Sequence, residues 1–207
     1  MTRRSRAVRR AVTGGAVLAA VVLGAPPALA AEAGVRAQQP GFLDPSDMPP
    51  DPFSAWQWSS GPDTGVSGPS RCVDRSLAFP ENDVWSATYS TPETAGAEQV
   101  VVVLPSEAEA AAFAERVDAG LSRCEATIET DYPGTEATYW DHGRVDVEEG
   151  AHVHGAGFQG NWGYHNFLVS VGRDGDTVTI VGWESNWGTP PVDVFKETTR
   201  TAVNKLH

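Results

Sequence analysis

The chain has 207 residues, 41% of them hydrophobic, with 15 Lys and Arg against 27 Asp and Glu and a formal net charge of −12. That balance argues against nucleic acid and anionic membrane surfaces as partners, since both are recognised through basic patches. The length left after the N-terminal segment described next suffices for one domain with one core.

Arg3, Arg4, Arg6, Arg9 and Arg10 open the chain, and no acidic residue precedes Glu32. The apolar run Ala16–Gly24 follows, then Pro26, Pro27 and Ala28-Leu29-Ala30. A basic start, a short apolar stretch and an A-x-A site are the parts of a secretory signal peptide, so residues 1–30 are expected to be removed on export. The apolar run falls short of the roughly 20 residues of a membrane-spanning helix, so no span is expected after cleavage. General secretory and twin-arginine export both fit the arginine pairs. Without residues 1–30, 10 basic residues face 27 acidic ones, a formal −17. The protein is read as secreted and acidic.

Residues 31–52, with Asp44-Pro45, Met48-Pro49-Pro50 and Asp51-Pro52, are expected to run as an extended lead-in, because each proline fixes φ and removes a backbone donor. The domain proper is placed at 53–207. Ser59 to Ser70 holds three glycines and two prolines and reads as a loop. Val84 to Tyr89 alternates as a half-buried strand does, and Gln99 to Leu104 is a β-branched run suited to a central strand. Between them, Thr91-Pro92 through Ala97 reads as turn.

Pro105 ends that run, and Ser106 with Glu109 has the spacing of a capping box. Phe113, Val117 and Leu121 then mark one face of a helix over about 106–122. Cys124 follows its end. Export puts Cys72 and Cys124 in an oxidising compartment, where a pair without C-x-x-C spacing is expected as a structural disulfide. Such a bridge should tie the helix terminus to the segment ahead of the Val84 strand.

Thr135–Trp140 and Ala151–Phe158 are candidate strands. Asn166–Val171 and Thr177–Trp183 flank Arg173-Asp174-Gly175 as a hairpin. Val192, Phe195, Thr199, Ala202 and Leu206 recur at spacings of three and four, giving a terminal amphipathic helix. The order is α+β: an antiparallel β-sheet with two helices packed on one face and one disulfide.

Several of these segments together resemble the extracellular sensor domain of mycobacterial PknH-type serine/threonine kinases, which also occurs in exported lipoproteins and small secreted proteins. The resemblance rests on Leu43-Asp44-Pro45-Ser46-Asp47-Met48-Pro49, on Cys72 ahead of a strand, and on Ser106–Phe113 leading to Cys124, followed by a hairpin and a terminal helix. It implies an α/β sandwich with a ligand cleft and transfers no binding residue. Two features depart from the family: a second cysteine pair is missing, and the sequence holds no kinase domain, so signalling would need a separate partner.

His152 and His154 lie two apart in an expected strand, where both rings would share a face, with Asp141, His142 or His165 as possible completions. An exposed polar strand face accounts for the pair equally, and no H-E-x-x-H spacing supports a metal. The reading therefore assigns no metal and no cofactor, and keeps His152 and His154 as weak candidates. Asn161-Trp162-Gly163 recurs as Asn186-Trp187-Gly188, with Trp140 and Trp183 near in sequence. Trp140, Trp162, Trp183 and Trp187 are the candidate ligand contacts, since indole rings stack on sugars and apolar ligands; packing at strand ends is the bland account.

No G-x-S-x-G occurs, and among 27 acidic residues a carboxylate pair can always be drawn, so no catalytic residue is assigned. The leading function is a secreted, non-enzymatic ligand-binding or sensor-like domain for a small molecule, glycan or envelope component. A secreted hydrolase, metal-assisted or carboxylate-based, and an envelope module that binds a protein partner are the alternatives.

Overall fold

The computed structural model describes residues 38–66, 72–73, 77–80, 83–92, 94–160 and 163–207. The chain divides into compact units at 1–34 and 35–207, and all described residues belong to the second. The expected signal peptide and Trp162 lie outside the described residues.

Seven strands form one antiparallel sheet: β1 Gln57–Thr64, β2 Val84–Ser90, β3 Ala95–Val103, β4 Ala137–Val145, β5 Ala151–Gly160, β6 Gly163–Asp174 and β7 Thr177–Ser185, in the order β1-β2-β3-β7-β6-β5-β4. Three α-helices accompany it among the described residues: α1 Glu107–Leu121, α2 Cys124–Asp131 and α3 Val192–Asn204. The α+β class, the antiparallel sheet and the disulfide stand.

Capping starts α1 where expected. The Ser106 hydroxyl accepts from the Glu109 amide at 3.3 Å, while Ala110, Phe113, Val117 and Leu121 turn inward. The β6–β7 hairpin pairs Asp174 with Thr177 across a two-residue turn that begins at Gly175, whose φ of 56° suits glycine. Cys72 and Cys124, both buried, form the disulfide with Cα atoms 4.9 Å apart, tying the start of α2 to the chain ahead of β2.

The helices do not share one face, and this corrects the sequence expectation. α1 and α2 cover one side with Val100, Val102, Ala156, Phe158, Phe167, Val169, Val178 and Ile180. α3 packs through Phe195, Ala202 and Val203 on the other, against Ala97, Val153, Leu168, Val181 and Trp183. Strand residues alternate between the two sides, and β5, β6 and β7 are buried along most of their length, so each face requires its own cover.

Three further stretches differ from expectation. The first half of the loop assigned to Ser59–Ser70 lies in β1, an edge strand that tolerates Gly61 and Pro62 because only one neighbour needs its hydrogen bonds, and residues 67–70 lie outside the described residues. Ala95–Ala97 belongs to β3 rather than to the turn. Cys124 opens α2, a helix whose weak amphipathicity hides it from periodicity.

The stretch expected as an extended lead-in packs onto the α3 side of the sheet. Leu43 is fully buried and Met48 nearly so. The anchor is Gln99, itself fully buried: its Oε1 accepts from the Leu43 amide at 2.8 Å and its Nε2 donates to Thr179 Oγ1 at 3.1 Å. The Tyr89 hydroxyl donates to the Leu43 carbonyl at 2.8 Å; burial, then Asp44 and Asp47, raises its pKa and keeps it a donor. Gln99→Leu strands the Leu43 amide and should cost about 1–3 kcal/mol in chemical denaturation. An unchanged midpoint would show that the amide finds another acceptor.

Candidate functional site

Strand β4 supplies two sites, one on each side of the sheet. Its register with β5 shifts between Asp141 and Gly143, with Asp141 opposite His154 and Gly143 opposite Val153. Gly143 takes φ 84°, a left-handed value that glycine accepts freely, and the Asp141 carboxylate accepts the Gly143 amide at 2.7 Å. Around this bulge Trp140 and His142 face the α3 side, whereas Tyr139 and Asp141 meet the histidines on the α1 side.

On the α3 side lies an open cleft of about 620 Å³ lined by Trp140, His142, Tyr164, Asn166, Asn186 and the 188–192 stretch. Glycines lie beneath two of its rings, His142 and Tyr164. A side chain at Gly157 would meet the Tyr164 ring at 2.6 Å, and one at Gly155 would meet His142 Nε2 at 2.4 Å, so only a bare backbone lets both rings lie over β5. The far wall is pinned. Asn166 Nδ2 donates to the Gly188 carbonyl at 3.2 Å, and the Ser185 hydroxyl donates to the Thr94 carbonyl at 2.8 Å while accepting the Trp187 amide at 3.1 Å.

Trp140 and Tyr164 are 39% and 38% exposed, so each presents a usable ring surface. Burial, then Lys196, lowers the His142 pKa against the opposing pull of Asp141; this ring is a neutral hydrogen-bonding group at pH 7. The cleft therefore offers two aromatic surfaces beside amides and a neutral imidazole. That chemistry suits a ligand with an apolar face and a polar edge.

The four candidate tryptophans separate. Trp140 lines the cleft. Trp183 is buried in the α3-side core. Trp187 is 62% exposed, and its ring meets Phe53 edge-on at 6.3 Å instead of lining the cleft. Sequence reasoning missed Tyr164, Asn166 and Asn186; the β6 alternation Tyr164, Asn166, Leu168 was the available signal for the first two.

On the α1 side His152 and His154 share a face, as their spacing implies, with ring centroids 4.2 Å apart. Asp118 from α1 reaches both: its Oδ1 lies 2.7 Å from His152 Nδ1 and 2.8 Å from His154 Nε2. Asp141 Oδ1 lies 2.8 Å from His152 Nε2, and the Tyr139 hydroxyl 2.8 Å from His154 Nδ1. The His152 bond and the Gly143 amide hold the Asp141 carboxyl below its usual pKa. Burial lowers the His154 pKa despite the Asp118 bond. Of the other named completions, His142 is on the opposite side and His165 stacks on Phe158 at 4.8 Å.

Residues 74–159 match the family model of the PknH-like extracellular domain, a span that covers β2 to most of β5, with Asp118 and both histidines inside it. The crystal structure of the extracellular domain of PknH from Mycobacterium tuberculosis is similar at 16% identity with a TM-score of 0.42, over 59% of this chain and 64% of that one. The chain thus spans less than two thirds of that protein's length. No curated protein matches in sequence. Among the described residues no helix is long and apolar enough to cross a membrane. Over residues 74–159 this chain is thus similar to the PknH-like extracellular domain.

Proposed function

We propose that this domain is exported after loss of residues 1–30 and binds a glycan of the cell envelope in the cleft beneath Trp140 and Tyr164. The observation that carries the reading is the pair of half-exposed rings, Trp140 and Tyr164, lining one cleft with Asn166 and Asn186. Aromatic rings stack on the C–H faces of a sugar, and side-chain amides bond its hydroxyls, so the lining matches both surfaces of a pyranose. The wall bonds of Ser185 and Asn166 support a largely pre-formed cleft, which spares ordering entropy on binding. The formal −17 of the exported chain disfavours polyanionic ligands.

Titration with oligosaccharides prepared from envelope glycans should change the tryptophan fluorescence of the parent protein. Trp140→Ala and Tyr164→Ala should each weaken binding by about tenfold, the loss of about 1.4 kcal/mol that one stacked ring supplies. Trp187→Ala should bind as the parent does. A flat titration with every glycan fraction, or equal loss from Trp187→Ala, would defeat the assignment.

A further inference from the structure

The cluster opposite the cleft has a different chemistry. We propose that Asp118, His152 and His154 form a binding site for a divalent transition metal ion of the zinc type, held between α1 and β5. One ligand atom from each residue comes within 4.8 Å of the others. Two imidazole nitrogens and a carboxylate oxygen are the donors such ions prefer, and three protein ligands leave a further position for water.

Hydrogen-bond arithmetic supports an ion at this point. His152 places Nδ1 against Asp118 and Nε2 against Asp141, both ring nitrogens against carboxylates. A carboxylate only accepts once ionised, so these two bonds require a proton on each nitrogen of one ring. A metal ion on Nδ1 removes that requirement and leaves Nε2–H to donate to Asp141. His154 fits in the same way. With Nε2 on the metal, its Nδ1–H donates to the Tyr139 hydroxyl oxygen, 2.8 Å away.

Each histidine therefore has its second nitrogen held by an outer partner, the arrangement that fixes ring orientation and tautomer at metal centres. Asp141 and Tyr139 come from β4, so the outer partners rest on a strand and not on a mobile loop. The present nitrogen–oxygen separations of 2.7 and 2.8 Å are those of direct hydrogen bonds. Metal bonds of about 2.0–2.1 Å in tetrahedral array need donors roughly 3.3 Å apart, an opening of about half an ångström. Side-chain rotation at Asp118 supplies it, because that carboxylate is 32% exposed while His154 is 3% exposed. The exposed side is also the way in.

The test uses the full chain, treated with chelator and titrated with zinc chloride by calorimetry, with a parallel thermal melt. One equivalent should bind, and Tm should rise by several degrees at saturation. Cobalt(II) should give the visible absorption of a tetrahedral nitrogen/oxygen site. His152→Gln and Asp118→Asn should each weaken zinc binding at least tenfold, and Asp141→Asn should weaken it less. His165→Gln should bind zinc like the parent. No heat and no Tm change at tenfold excess zinc would overturn the proposal. So would parent-like affinity in both His152→Gln and Asp118→Asn, which would place the metal elsewhere.

Discussion

Replacing Cys72 and Cys124 together by alanine should lower the stability of the domain by about 4 kcal/mol. The bridge spans a sequence separation of 52, and closing a loop of that size removes about this much chain entropy from the unfolded state. Both cysteines sit in the core under α1 and α2, so the alanines also leave two small voids. A domain of this size loses roughly 2–4 °C per kcal/mol, which puts the fall in Tm near 10 °C or somewhat above. The control is internal: reductant should move the parent toward the double variant and leave the double variant where it was. Coincident melts of parent and variant would mean that the bridge contributes nothing.

Phe195→Ala should cost about 3–5 kcal/mol, the usual range for emptying a buried phenylalanine site. Phe195 is fully buried and joins α3 to Leu168, Val181 and Trp183 of the sheet. Val194, beside it in sequence, is 43% exposed, and Val194→Ala should stay within about 0.5 kcal/mol. Urea denaturation of both variants measures the contrast. The loss should extend to the cleft, because α3 begins at Val192 on the cleft wall. A loosened α3 would therefore show as weakened glycan binding as well as a lower midpoint. Equal midpoints for the two variants would mean that α3 is not anchored through Phe195.

The sequence carried the local features because their causes are local. Ser106 and the 113–117–121 stripe specify α1 through capping and helical spacing. Asp174 and Gly175 specify the β6–β7 turn, and the β-branched run from Gln99 specifies a strand buried on both sides. The elements that escaped lack such signals. β1 is an edge strand containing Gly61 and Pro62, residues that read as a loop unless one knows that a single neighbour suffices. α2 is short and weakly amphipathic, and its identity comes from the disulfide and Ile128 packing beneath the sheet. Residues 41–52 are rich in proline and aspartate, and nothing local tells that Gln99, 56 positions from Leu43, will accept the Leu43 amide.

What the sequence determined by itself was the acidic composition, the α+β order, the paired cysteines and the shared face of His152 and His154. Only the tertiary structure decided which side of the sheet each helix covers, because strands buried on both faces call for cover without saying which helix supplies it. The sites followed from that. Asp118 stands 34 and 36 residues from the two histidines and reaches them only because α1 lies over β5. Trp140 and Tyr164 line one cleft while Trp183 is buried in the core that α3 joins, since the bulge in β4 and the pairing of β5 with both β4 and β6 fix which side each ring takes.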